Sequence, residues 1–249
     1  MGEGSVMGKT ILIILMLLTP ISYAGMLIEK TRVIYHEGEV TQSVNIMNVN
    51  PYPTFVQTWV DLGEVNNFKQ SASSPFVLIP PIFNLRPNEI KSVRVIFNGQ
   101  KLPTDRESLY WINIYEVPAI KEAPGIDKYL LMSMKTQLKL IYRPKNLTGN
   151  VNDAGNSVSC SLKQDNHLSL TCRNNSGYVL SYNDIIVNIQ GKYYKASADL
   201  DLMIKPFSES FFSLIPISVE PIKTSGSIIF KLINDKGEIE EIKKTLPTT

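Results

Sequence analysis

The sequence predicts an all-β protein made of two immunoglobulin-like β-sandwich domains behind an export signal. Three observations predict it. Apolar and polar residues alternate along most of the chain, proline and glycine interrupt the alternation at short intervals, and the length of 249 residues suits two domains.

Met1 to Ala24 reads as the export signal. Lys9 precedes the apolar run Ile11 to Leu18, Thr19-Pro20 follows, and Ser22-Tyr23-Ala24 offers small residues at alternate positions for a signal peptidase. That run is far short of the roughly 20 residues that span a bilayer. The mature chain is expected to begin at Gly25 and to be exported; Met7 is a second candidate initiator.

Strands are expected at Ile28 to Tyr35, Val40 to Asn48, Phe55 to Asp61, Phe76 to Ile79, Glu89 to Phe97, Tyr110 to Val117 and Tyr129 to Tyr142. Val44 and Ile46 set between Ser43, Asn45 and Asn48 show the period of two that half-buried antiparallel strands require. Gly38, Pro51, Pro53, Pro80, Pro81, Pro87, Asn98-Gly99, Pro118 and Pro124 supply the breaks. These strands define a first domain over residues 25–144. The polar run Thr148 to Asn156 reads as a connector. A second domain over residues 145–249 is expected to hold strands at Ser157 to Leu162, His167 to Asn174, Leu180 to Asn188, Tyr193 to Ala196, Glu209 to Leu214, Ser227 to Ile233 and Glu238 to Lys244, the last two joined through Asp235-Lys236-Gly237.

Composition excludes several functions. With 25 basic and 23 acidic residues, nothing suggests a nucleic-acid partner. Cys160 and Cys172 flank a hairpin turn in an exported chain and are expected to form a disulfide. A zinc site would need more ligands than His36 and His167 provide. No nucleophile elbow, metalloprotease helix or phosphate-cradling glycine loop occurs, so neither an enzyme, a cofactor nor a metal is expected.

The informative segment runs from Tyr129 to Tyr142. Leu130, Met132 and Met134 fall on one face at period two, and methionine suits a surface that must fit several partners. By themselves these residues better fit a strand facing its own core. Three features weigh against that reading: the stretch is long for a sandwich strand, its surroundings are basic (Lys121, Lys128, Lys135, Lys139, Arg143, Lys145), and it runs straight into the domain boundary.

Thr31-Arg32-Val33-Ile34-Tyr35, Val56-Gln57-Thr58-Trp59-Val60-Asp61, Leu102 to Leu109 and Lys139-Leu140-Ile141-Tyr142-Arg143-Pro144 together resemble the periplasmic pilus chaperones of the chaperone-usher pathway, the PapD-like proteins. The second domain is similar chiefly through Asn174 to Tyr178 and Ile233-Asn234-Asp235. The resemblance implies two sandwiches at an angle in a boomerang shape, and a chaperone that lends a strand to pilus subunits before an outer-membrane usher takes them. It further implies that Leu130, Met132 and Met134 fill the subunit's groove, with Ile126 extending the row where the strand begins earlier. Arg32 and Lys139 would bind the subunit's terminal carboxylate, and Glu107, Arg143 and Asp235 would hold the domains together. The short stretch Pro118 to Lys128 and the cysteine-free first domain resemble the short-loop branch. Ile141 departs from the aromatic residue common at its position. Exposed lending residues would also favour a self-capping homo-oligomer when free. The rival reading is an immunoglobulin-like fimbrial subunit or adhesin.

Overall fold

The computed structural model describes residues 25–63, 74–119, 132–164, 167–198, 201–217 and 226–246. The expected export signal, Ile126 and Leu130 lie outside them.

The first domain contains β1 (Met26–Ile28), β2 (Arg32–His36), β3 (Gln42–Asn48), β4 (Thr54–Asp61), β5 (Phe76–Ile79), β6 (Ile82–Leu85), β7 (Ile90–Phe97), β8 (Ser108–Pro118) and β9 (Met134–Arg143). One sheet has the order β1-β3-β7-β5 and the other β2-β9-β8-β4-β6. Their inward residues, among them Tyr35, Val44, Ile46, Val56, Leu85, Val95, Ile112 and Leu140, form one core. Burying each such large side chain contributes about 1.5–3 kcal/mol. All pairings are antiparallel except β2 with β9, which run parallel from Arg32 opposite Lys139 to His36 opposite Arg143.

The expected strand Ile28 to Tyr35 is two strands in different sheets, because the chain turns across the sandwich at Glu29 to Thr31. The stretch Ile82–Leu85, framed by prolines, reads as a break yet forms β6. It presents Phe83 and Leu85 inward and pairs Thr54 with Leu85. Tyr129 to Tyr142 shortens to the ten residues of β9; Met132 and Ser133 precede the strand, and Tyr129 to Leu131 fall outside the described residues.

The second domain opens with α1 (Val151–Ser157) where a plain connector was expected. Asn150 caps it, its side-chain oxygen accepting from the backbone N–H groups of Asn152 and Asp153, and Val151 and Ala154 turn into the core. So polar a helix carries no stripe wide enough to be seen in sequence. The strands are β10 (Ser159–Gln164), β11 (Leu168–Arg173), β12 (Leu180–Ile189), β13 (Lys192–Ser197), β14 (Met203–Ile204), β15 (Glu209–Ile217), β16 (Ser227–Ile233) and β17 (Ile239–Thr245). Hydrogen bonds join them in one path, β10-β11-β15-β13-β12-β16-β17, with β14 on β12. Leu170 of β11 and Phe230 of β16 share one core, so the path curls over on itself. Cys160 and Cys172 stand opposite each other on β10 and β11 and are disulfide-bonded.

Candidate functional site: the interdomain cleft and the open edge of β9

Alternation divides β9 into two faces. Leu138, Leu140 and Tyr142 enter the core of the first domain. Gln137, Lys139, Ile141 and Arg143 occupy the opposite face, toward the second domain. Ile141 is 2% exposed yet belongs to neither core, which makes it part of the seam. Cross-strand register lines up Arg32, Lys139, Trp111 and Asp61 over four adjacent strands.

At the end of β9, Arg143 joins the domains. Its Nε donates to Glu107 Oε1 (2.6 Å), while its two terminal nitrogens donate to both oxygens of Asp235 (2.6 and 2.7 Å). Its guanidinium also lies 5.1 Å from the Tyr178 ring centre. The remaining oxygen of Glu107 accepts from the backbone N–H of Val179 (2.7 Å), and Glu107 N–H donates to Gly177 O (2.8 Å). Two buried asparagines prepare these loops. Asn174 bonds Ser176 and Tyr178, and Asn234 accepts from the N–H groups of Lys236 and Glu238, which fixes the turn carrying Asp235. Burial holds the Glu107 carboxyl above its ordinary pKa, against the pull of Arg143. Burial also opposes the Arg143 charge, but its hydrogen bonds to Asp235 and the field of Glu107 prevail, so the guanidinium keeps its proton more tightly than usual.

Four residues back, Lys139 makes a second bridge. Its Nζ donates to Ser181 Oγ (2.9 Å) and lies 2.8 Å from Asp201 Oδ2. Arg32 Nη1 donates to the carbonyl of Ile233 (3.2 Å), and its Nε is buried with no hydrogen-bond partner among the described residues. Burial lowers the Lys139 pKa; Asp201 opposes the shift and Arg32, its partner in register, adds to it. The two cations open onto a cleft of about 870 Å³, walled by Leu62, Leu109, Trp111, Met203 and Ile233. Basic groups set side by side in a partly apolar cleft suit a carboxylate better than a neutral ligand.

The front half of β9 differs from the back half. β8 pairs with it from Met134 to Tyr142, but β2 covers its other edge only from Lys139 to Arg143. Among the described residues, that edge has no strand partner from Met134 to Leu138. Met134 shares the face of Leu138 and Leu140 but is 48% exposed, and Met132, just before the strand, is 73% exposed. Met134 sits opposite Glu116 in β8, a buried carboxyl whose pKa desolvation raises.

Arg32, Lys139, Glu107, Arg143 and Asp235 thus gather at the seam, while Met132 and Met134 stand apart along the edge. Ser181 and Asp201 were not foreseen. β12 and β14 bring them to Lys139, and no sequence motif marks a residue that reaches its partner only through the packing of two domains.

The comparisons with known proteins agree with this architecture. The family described as pili and flagellar-assembly chaperone, PapD N-terminal domain, matches residues 25–148, and that described as pili assembly chaperone PapD, C-terminal domain, matches residues 151–244. The chaperone protein LpfB of Salmonella typhimurium is 33% identical over 233 residues, 93% of this chain and 87% of that one. FimB/FhaD of Bordetella pertussis, also described as a chaperone protein, is 29% identical over 230 residues, covering 89% and 88%. Among solved structures, the YadV chaperone has a TM-score of 0.73 at 27% identity, covering 89% of this chain and 99% of that one. A chain from the complex of the Salmonella enterica SafA pilin with the SafB chaperone has a TM-score of 0.72 at 26% identity, covering 91% and 99%. With both halves matched in order by chaperone families and the two-domain fold shared, the chain belongs to the PapD-like family of pilus-assembly chaperones.

Proposed function

We propose that this chain acts in the periplasm, receives pilus subunits along the open edge of β9, and passes them to an outer-membrane usher. One observation carries the loading step: the unpaired edge Met134 to Leu138 lies in line with β2, whose first residue is Arg32 opposite Lys139. A subunit strand added there in the direction of β2 runs toward Arg32 and ends beside both cations. Its backbone bonds to β9, and its terminal carboxylate accepts from Arg32 and Lys139. Met134 and Met132, together with Leu130, fill the subunit's exposed groove, each worth up to about 1.5–3 kcal/mol when buried. The Glu107–Arg143–Asp235 cluster serves as the brace that keeps the cleft in shape. In the free chain, the same edges of two copies cap one another.

The reading as a fibre subunit is not retained, since both matching families are chaperones. The test is co-expression of the full chain, residues 1–249 with the export signal included, with pilin candidates encoded beside it, followed by purification from the periplasm. A one-to-one complex is expected, and the Arg32→Ala/Lys139→Ala variant should lose it while staying folded. Undiminished binding by that variant would remove the anchor from the mechanism. Sedimentation of the free chain tests capping: dimers are expected to dissociate when Met132 and Met134 are both changed to Asp.

A further inference from the structure

Lys139 is not an unengaged cation in the free chain. Its ammonium meets the Asp201 carboxylate at 2.8 Å and the Ser181 hydroxyl at 2.9 Å, both from the second domain. A single short strand pair sets this geometry. Ser181 stands opposite Met203 where β12 meets β14, and Tyr182 N–H donates to Leu202 O, which brings Asp201 up beside Ser181. The ion pair is well enclosed, with 12% of the Lys139 side chain and 32% of the Asp201 side chain exposed. The Asp201 oxygen facing Lys139 is itself shut off from water and has no other hydrogen-bond partner among the described residues. Glu107 and Asp235 are engaged by Arg143, so Asp201 is the carboxylate that balances Lys139.

We propose that Asp201 is an internal stand-in for the subunit's terminal carboxylate: it neutralises Lys139 in the empty cleft and must yield that ammonium when a subunit is loaded. This deepens, and rests on, the carboxylate-anchor reading above. Two carboxylates cannot share one ammonium in a partly buried cleft without repelling each other, because at short range and reduced dielectric like charges are costly. Arg32, whose Nε has no hydrogen-bond partner among the described residues, receives the incoming carboxylate first, and Lys139 then exchanges one partner for the other. An anchor built this way binds less tightly than its two cations could. It also reforms a neutral cleft when the subunit leaves.

The experiment measures binding of a soluble peptide of alternating threonine and valine, with either a free C-terminal carboxylate or a C-terminal amide, to the mature chain and to Asp201→Asn and Asp201→Glu. Asp201→Asn should bind the carboxylate peptide about tenfold more tightly than the natural chain, the scale of one charge-assisted hydrogen bond, with the amide unchanged. Asp201→Glu, which keeps the charge, should show no such gain. Equal tightening for both peptides, no tightening at all, or a gain in Asp201→Glu matching that of Asp201→Asn would overturn the stand-in while leaving the anchor in place. A natural chain that does not prefer the carboxylate to the amide would overturn the anchor, and the stand-in with it. Thermal unfolding of each variant establishes that the fold is intact.

Discussion

The two ends of the interdomain seam are built from similar parts for different kinds of contact. Arg143 and Lys139 lie on the same face of β9, with side chains 13% and 12% exposed, and both reach acidic groups across or beside the seam. The difference lies in the partners. Arg143 places a planar, many-donor fork against two carboxylates, one of them, Glu107, wholly enclosed. Lys139 directs a point charge at one carboxylate, on a side chain that is 32% exposed. The first arrangement is too closely interlocked to exchange, whereas the second can change partner.

The largest expected effect comes from breaking the first. Arg143→Ala leaves Glu107 buried without its cation, and such a loss typically costs about 3–5 kcal/mol. Urea unfolding should show that drop and separate into two transitions as the domains uncouple; one unchanged transition would remove Arg143 from the brace. Next is Gly177→Ala. A Cβ there would come within 2.6 Å of both the Asp105 carbonyl and Leu147, and overpacking against backbone costs about 1–3 kcal/mol. The loss should be seen in Tm, and in faster hydrogen exchange at Glu107 and Val179.

Lys139→Ala is expected to change stability by less than about 1 kcal/mol, because Asp201 can be hydrated when its partner is gone. Subunit affinity should nevertheless fall by about 1.5–3 kcal/mol. A variant that loses stability and affinity together would make Lys139 a brace like Arg143. Changing Met132 and Met134 to Asp should alter stability by no more than roughly 0.5 kcal/mol, as expected at exposed positions, yet abolish subunit protection in a pilin aggregation assay.

The smallest effect is one of pH. Burial lowers the Lys139 pKa from 10.5. Between the lowered value and 10.5 the folded chain therefore holds fewer protons than the unfolded chain, and stability rises with pH across that window. The stability of the natural chain relative to Lys139→Met should accordingly rise as pH approaches 10.5, read from Tm at several pH values. A flat difference would mean that Lys139 is not desolvated.

Much of this was legible in sequence because strands announce themselves by period two. Val44, Ile46, Val93 and Val95 sit where alternation puts them, and the breaks at Gly38 and Asn98-Gly99 fall between strands. What escaped had physical reasons. The prolines around Ile82–Leu85 hide an edge strand, since an edge tolerates the residues that a central strand rejects. Val151–Ser157 gives seven residues with Gly155 in the middle, too few and too polar for a helical stripe. At the site, the residues within local motifs, Arg32, Lys139 and Arg143, could be named, whereas Ser181 and Asp201 depend on how one domain sits against the other.

The parallel β2 has a consequence for counting. Because Arg32 begins in register with Lys139, the open edge has a fixed end, and among the described residues Met134 to Leu138, roughly 17 Å at about 3.3 Å per residue, lies free before it. A loaded strand one residue too long would have to slide back by one, turning every side chain to the opposite face, or leave its terminus short of the cations. On the proposed mechanism the first residue of β2 is the zero of a ruler, and the chaperone gauges where its client ends to within a single residue.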